Sequence, residues 1–223
     1  MKIIVSENGP YLVKGNVPLY IKHIVSKNGL SSLKTIKKLD TPEEYALCRC
    51  GESTQAPFCS GAHIKTGFVG AETAGMSRYL DRAEILEGKD LNLLDDNRCA
   101  FARFCHKPHG DVWTLTEQSA NPQFKKEAIQ AATECPTGRL VAMLKSGEFI
   151  EDDLEPCISI VQDIIKGVSA GIFVTGGIPI ESETGQTYEV RNREALCRCG
   201  MSSRKPFCDA THVSVGFDDQ IQD

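Results

Sequence analysis

The sequence has no apolar run approaching the roughly 18 residues that a membrane helix needs. It has no basic excess either: 25 Lys and Arg stand against 30 Asp and Glu, a formal net charge of −5. The first absence argues against a helical span, and the second against a non-specific nucleic-acid surface. The opening stretch, Met1-Lys2-Ile3-Ile4-Val5-Ser6-Glu7, holds only three consecutive apolar residues. That is too few for a secretory-signal core, so a cytoplasmic location is expected. No G-x-G-x-x-G or Walker A pattern occurs, and no Ser-His-Asp or Cys-His set stands apart from the cysteine clusters described below. An enzyme with its own substrate pocket is therefore not expected, although a reductase subunit fits.

What the chain does have is cysteine, ten in 223 residues, in a composition that is otherwise ordinary at 41% hydrophobic and 25% charged. A cytosolic chain keeps its thiols reduced, so this many cysteines point to metal rather than to disulfides. They fall at 48, 50, 59, then 99, 105, 135, 157, then 197, 199, 208. The outer triplets are copies. Leu47-Cys48-Arg49-Cys50-Gly51 recurs as Leu196-Cys197-Arg198-Cys199-Gly200, and Pro57-Phe58-Cys59 as Pro206-Phe207-Cys208, each followed by a histidine, His63 or His212. Of the 21 positions from Cys48 to Phe68, 11 are identical in the second copy. Upstream, the stretch from Val13 to Leu19 resembles that from Val174 to Ile180, which identifies an internal duplication. The segment between the copies carries a helix candidate, Gln123 to Glu134, after Asn121-Pro122.

Three thiols and one imidazole make four ligands, the count for zinc or for an iron–sulfur cluster. Zinc sites usually space their cysteines by two to four residues, whereas C-x-C places two sulfurs on one face of an extended turn, suited to one iron. Cys59 and His63 are four apart, as are Cys208 and His212, so on a helical turn each pair can grip a second iron. Ser60 and Asp209 are expected to cap those turns. Gly51 and Gly200 give backbone freedom beside the sulfurs, while Pro57 and Pro206 fix the entry. The spacing favours [2Fe–2S] ligation by Cys48, Cys50, Cys59 and His63, and again by Cys197, Cys199, Cys208 and His212. Zinc knuckles are the alternative.

The pattern C-x-C-x2-S-x3-P-x-C-x3-H, met at Cys48–His63 and Cys197–His212 with Ser53 and Ser202 in the serine position, resembles the CDGSH iron–sulfur (NEET) family. That resemblance implies [2Fe–2S] clusters with three-cysteine, one-histidine ligation, a small β-rich fold, and a role in electron or cluster transfer. The first copy has Ser60 where the family has aspartate, and the second has Ala210 where it has glycine. The groups around the two clusters therefore differ. Such ligation gives a less negative core than four thiolates, which places the potential between the about −400 mV of plant-type ferredoxins and the about +300 mV upper Rieske range. The imidazole is also the ligand that protons compete for, so the clusters are expected to become labile as pH falls.

Between the repeats, Cys99 and Cys105 form C-x5-C, and Cys135-Pro136 follows. Ferredoxins ligate a cubane with C-x2-C-x2-C and a distant C-P; here Ala102 takes the second position. The stretch resembles the divergent mono-cluster ferredoxin domain that accompanies some bacterial CDGSH modules. That implies a possible third cluster, [3Fe–4S] or [4Fe–4S], on Cys99, Cys105 and Cys135, with Cys157 or His106 as fourth-ligand candidates. The alternative is that these thiols are buried hydrophobes. Cys157 sits in an alternating stretch and reads as core, His106 and His109 as surface, and Trp113 as a core anchor. Arg49 and Arg198 either offset thiolate charge or solvate the rim.

The expected architecture is α+β and β-rich. Residues 1–75 and 168–223 form two cluster modules, packed as an intramolecular pseudo-dimer with strands 10–19 and 172–180 exchanged. Residues 76–167 form a small ferredoxin-like insert. The chain is expected to be a monomer serving a redox partner protein or an apo iron–sulfur acceptor, with no nucleic-acid or membrane partner. A redox- or pH-sensing partner-binding module and a structural zinc protein are the competing classes.

Overall fold

The computed structural model describes residues 1–221. The first repeat opens with strands β1 (Lys2–Val5), β2 (Tyr11–Lys14), β3 (Leu19–Lys27), β4 (Leu30–Leu39) and β5 (Glu44–Leu47), followed by the short helix α1 (Ala62–Thr66). The intervening segment holds α2 (Tyr79–Arg82), β6 (Glu84–Glu87), β7 (Asn92–Asp95), β8 (His106–Lys107), β9 (Gly110–Asp111), α3 (Val112–Glu117), α4 (Pro122–Thr133), β10 (Leu140–Met143) and β11 (Phe149–Ile150). The remainder is β12 (Cys157–Asp163), β13 (Val168–Thr175), β14 (Ile180–Glu181), β15 (Arg193–Leu196) and α5 (Thr211–Ser214).

Two sheets carry the repeats, ordered β14-β1-β2-β5 and β15-β13-β12-β3-β4. In each, the strand that precedes a cysteine site is held by an antiparallel partner from its own repeat: β5 pairs with β2, and β15 with β13. The next strand of each repeat then crosses to the other sheet. Ile180 of β14 lies parallel to Ile3 of β1, and Leu19 of β3 lies parallel to Ile158 of β12. The crossing elements are those that begin after Pro18 and Pro179. Residues 11–14 and 172–175, which the sequence grouped with them, stay paired with their own site strands. A proline cannot donate to a ladder, so each strand restarts beyond it. The isoleucines and valines of both halves close one core, which includes Ile3, Val13, Leu19, Ile158, Ile172 and Ile180.

The insert is α+β: a sheet ordered β11-β10-β7-β6 with α3 and α4 against it. Helix α4 starts where the sequence places it, with Pro122 at its first turn and the Asn121 side chain accepting from Gln123 N (2.9 Å). Ala128, Ala131 and Ala132 turn inward onto Leu93, Leu115 and Leu140. Trp113 is partly buried against this core and donates to Asp95 Oδ2 (3.0 Å). Strand β12 falls within the expected insert, yet it pairs along β3 and β13 and so is part of the large sheet. Among the described residues no helix is long and apolar enough to cross a membrane.

Candidate metal centres

Each outer cysteine triplet hangs on the end of a site strand. At the first, Cys48 N donates to Pro57 O (2.8 Å) and Cys59 N to Ala46 O (2.9 Å). At the second, Cys197 N donates to Pro206 O (2.7 Å) and Cys208 N to Ala195 O (2.8 Å). The motif serines close the intervening loop: Ser53 donates to Phe58 O (2.5 Å) and Ser202 to Phe207 O (2.6 Å). The third cysteine is thereby folded back onto the strand end that carries the first two.

The donors pair in the way the spacing requires. Cys48 and Cys50 sulfurs lie 3.7 Å apart, and Cys59 Sγ lies 3.5 Å from His63 Nδ1. The second site repeats this at 3.8 and 3.4 Å. Two thiolates on one tetrahedral metal, with bonds of about 2.3 Å, span an edge of about 3.8 Å, and a thiolate–imidazole edge is about 3.5 Å. All four pairs match such edges. Among the described residues no three His, Cys, Asp or Glu converge on a single ion.

Burial opposes ionisation at two of these thiols in the absence of metal. It pushes Cys50 up to about 11 and raises Cys208. The hydrogen bond between Cys197 and Cys199 raises the first thiol and lowers the second. Metal loading must therefore displace protons. His212 is lowered to about 4, chiefly by burial.

The caps sit one residue later than the sequence suggests. Gly61 (φ 81°) and Ala210 (φ 70°) occupy the helix-start positions in left-handed backbone. Ser60 instead accepts from Thr54 N (3.2 Å). Asp209 accepts from Thr211 N (3.0 Å), Ser203 N (2.7 Å) and the hydroxyls of both. Those bonds outweigh its desolvation and hold its carboxyl well below the usual range. The second site thus carries an anion that the first lacks.

Neither arginine is at a rim. Arg49 is buried, with Nε on Gly9 O (2.8 Å), Nη1 on Gly70 O (2.7 Å) and Nη2 on Ser6 O (2.8 Å). Arg198 is also buried, donating to Val161 O (2.9 Å) and forming a bidentate pair with Asp219. Each ties its site loop to the neighbouring chain. Asp219 had no sequence signal. Nor had Tyr11, whose hydroxyl crosses from the first repeat to donate to Cys197 O (2.8 Å) and Pro206 O (2.9 Å).

The two sites abut. A Cβ on Gly51 (φ 83°) would stand 2.8 Å from Cys199 O, and one on Gly200 (φ 76°) 2.5 Å from Cys50 O. Only glycine permits that approach.

The segments that build these sites, residues 8–64 and 171–213, each match the family model described as iron-binding zinc finger, CDGSH type. Two segments of the chain are thus similar to the CDGSH type, one after the other. Comparison with curated proteins and with solved structures found no match.

Between the two matched segments, Cys99, Cys105 and Cys135 line a cavity of about 60 Å³ with Trp113 and Arg139. The three thiols feel one another, and burial lifts Cys105 to about 11. Phe101 N donates to Cys99 Sγ (3.3 Å), and the Arg139 guanidinium faces the same sulfur. Phe101 and Arg103 hold positive φ (61° and 66°), which wraps the loop around the cavity. Neither fourth-ligand candidate lines it. Cys157 contacts Thr175 Oγ1 (3.3 Å) at the start of β12, and His106 is exposed in β8. His109 does more than face solvent: its Nδ1 lies 2.7 Å from the buried Glu127 carboxylate.

Proposed function

We propose that the chain is an electron- or cluster-transfer protein holding two [2Fe–2S] clusters. One sits on Cys48, Cys50, Cys59 and His63, the other on Cys197, Cys199, Cys208 and His212. The observation that carries this is the division of each donor set into a sulfur–sulfur and a sulfur–nitrogen pair, each spanning one tetrahedral edge. Two metals sharing four protein ligands is the requirement of a binuclear cluster, and a zinc knuckle would instead draw all four donors to one ion. When bound, such a cluster supplies one-electron chemistry. The protein's own residues do the rest: Ser53 and Ser202 hold the ligand loops, and Arg49 and Arg198 anchor them. Gly51 and Gly200 let the two ligand turns pack against each other.

The reciprocal pairing of β3 on β12 and of β14 on β1 supports an intramolecular pseudo-dimer, and so a monomer in solution. The insert is ferredoxin-like in this reading. Its thiols hold a third cluster, [3Fe–4S] or [4Fe–4S], supported by their convergence on one cavity. The partner is a redox protein or an apo iron–sulfur acceptor in the cytoplasm, and the chain is not itself an enzyme. Anaerobic titration by electron paramagnetic resonance tests this: reduction gives two rhombic [2Fe–2S] signals. A silent, colourless protein would refute it.

A further inference from the structure

The two CDGSH sites share a ligand set but not an exposure. Cys208 and His212 are 5% and 2% exposed, whereas Cys59 and His63 are only part-buried. Two elements seal the second site. The insert loop lays Ala100, Ala102 and Phe104 against Cys208, in a core completed by Val161, Ala170, Phe173 and Ala195. The β12–β13 hairpin, with strands of seven and eight residues, also outreaches its first-repeat counterpart β1–β2, with strands of four. Helix α5 packs on β13, and Ser169 N donates to Phe217 O (2.7 Å), clamping the chain that follows His212. Beside His63, by contrast, Ile64 and Val69 stand 77% and 73% exposed. The buried site is also the one next to the insert's thiols, since Cys99 and Cys208 lie close enough to interact electrostatically.

From this asymmetry we infer a division of labour, resting on the cluster-binding reading above. The first site is the port at which the chain gives up its cluster to an acceptor presenting free cysteine thiols. The second keeps its cluster and is the internal centre between the insert and the first site. In the transfer, bonds from the two irons to Cys48, Cys50, Cys59 and His63 break as bonds to four acceptor thiolates form. The acceptor's displaced protons pass to the released cysteines and imidazole, and the irons keep their oxidation states. Ligand exchange needs an incoming thiolate to reach a metal–ligand bond, which the insert loop prevents at Cys208.

The experiment mixes the anaerobically loaded full chain with metal-free plant-type ferredoxin and follows iron and sulfide left on the donor. Half of the iron and sulfide of the CDGSH pair leaves in one phase, and the other half stays. Cys59→Ser abolishes that phase, and Phe104→Ala opens the second site and adds a second phase. Loss of both clusters at one rate, or transfer that survives Cys59→Ser, overturns the inference. A chain isolated without iron and sulfide would sink the cluster reading instead. The exposure argument is then read on the metal-free chain by iodoacetamide labelling. Cys59 is modified while Cys208 is protected, and equal labelling refutes the asymmetry.

Discussion

Glu194 is the buried charge on which a quantitative test is sharpest. It lies in β15, three residues before Cys197, and is 3% exposed. It lines a cavity of about 10 Å³ shared with Arg82, Arg98, Arg191 and Glu189. Arg82 Nε, Arg98 Nη2 and Arg191 Nη1 are buried there without a partner among the described residues. Burial pushes Glu194 up from 4.5 to about 8, although the nearby arginines oppose the rise. Between those values the folded chain holds a proton that the unfolded chain has released. Stability therefore falls as pH rises from 4.5 to about 8, then levels off. At 1.36 kcal/mol per unit the loss reaches about 5 kcal/mol. Glu194→Gln keeps the shape and removes the ionisation. It should be near neutral at pH 5 and stabilising by up to about 5 kcal/mol at pH 9, a rise of about 10–20 °C in Tm for a chain of this size. Thermal unfolding of both proteins across pH 5 to 9 measures the difference. A difference that does not change with pH would show that Glu194 does not titrate as argued.

Other outcomes follow from the same geometry. Ala210→Gly relieves a left-handed alanine (φ 70°) and should stabilise the second site by about 0.5–1 kcal/mol, read by urea denaturation. Gly51→Ala forces a Cβ to 2.8 Å from Cys199 O, so it should lower Tm and perturb both clusters' spectra, whereas an effect confined to the first cluster would contradict the contact. His63→Cys or His212→Cys should slow acid loss of the altered cluster, and unchanged loss rates would remove the imidazole from the release step. In the metal-free chain, His212, lowered to about 4, stays neutral while its unfolded counterpart protonates near 6.5. Stability should therefore drop as pH falls from 6.5 towards 4, by about 3 kcal/mol. A His212→Gln chain lacks that drop.

Helix α4 was legible because its signal depends on neighbours within a few residues. Asn121-Pro122 is a local signal, and so is the C-x-C turn. The crossing of β3 and β14 was visible only as a repeat. Which stretch crosses depends on pairing between residues 139 apart, Leu19 and Ile158. The same holds for β12, whose pattern marked it as a strand but not as a member of the large sheet. For Arg49 and Arg198 the sequence left charge compensation and a solvated rim both open, because a buried arginine looks like a solvated one until its carbonyl and carboxylate partners are known. The covering of Cys208 by Ala100, Ala102 and Phe104 joins residues about 100 apart and leaves no periodicity to read.

The proposal that the two repeated sites hold two-iron clusters is tested most directly by metal and acid-labile sulfide analysis of anaerobically purified protein, with its visible spectrum. The account predicts about four irons and four sulfides per chain from the two sites, rising to about seven or eight irons when the insert is loaded. A colourless protein with about two zinc ions and no sulfide would contradict it and leave a zinc scaffold.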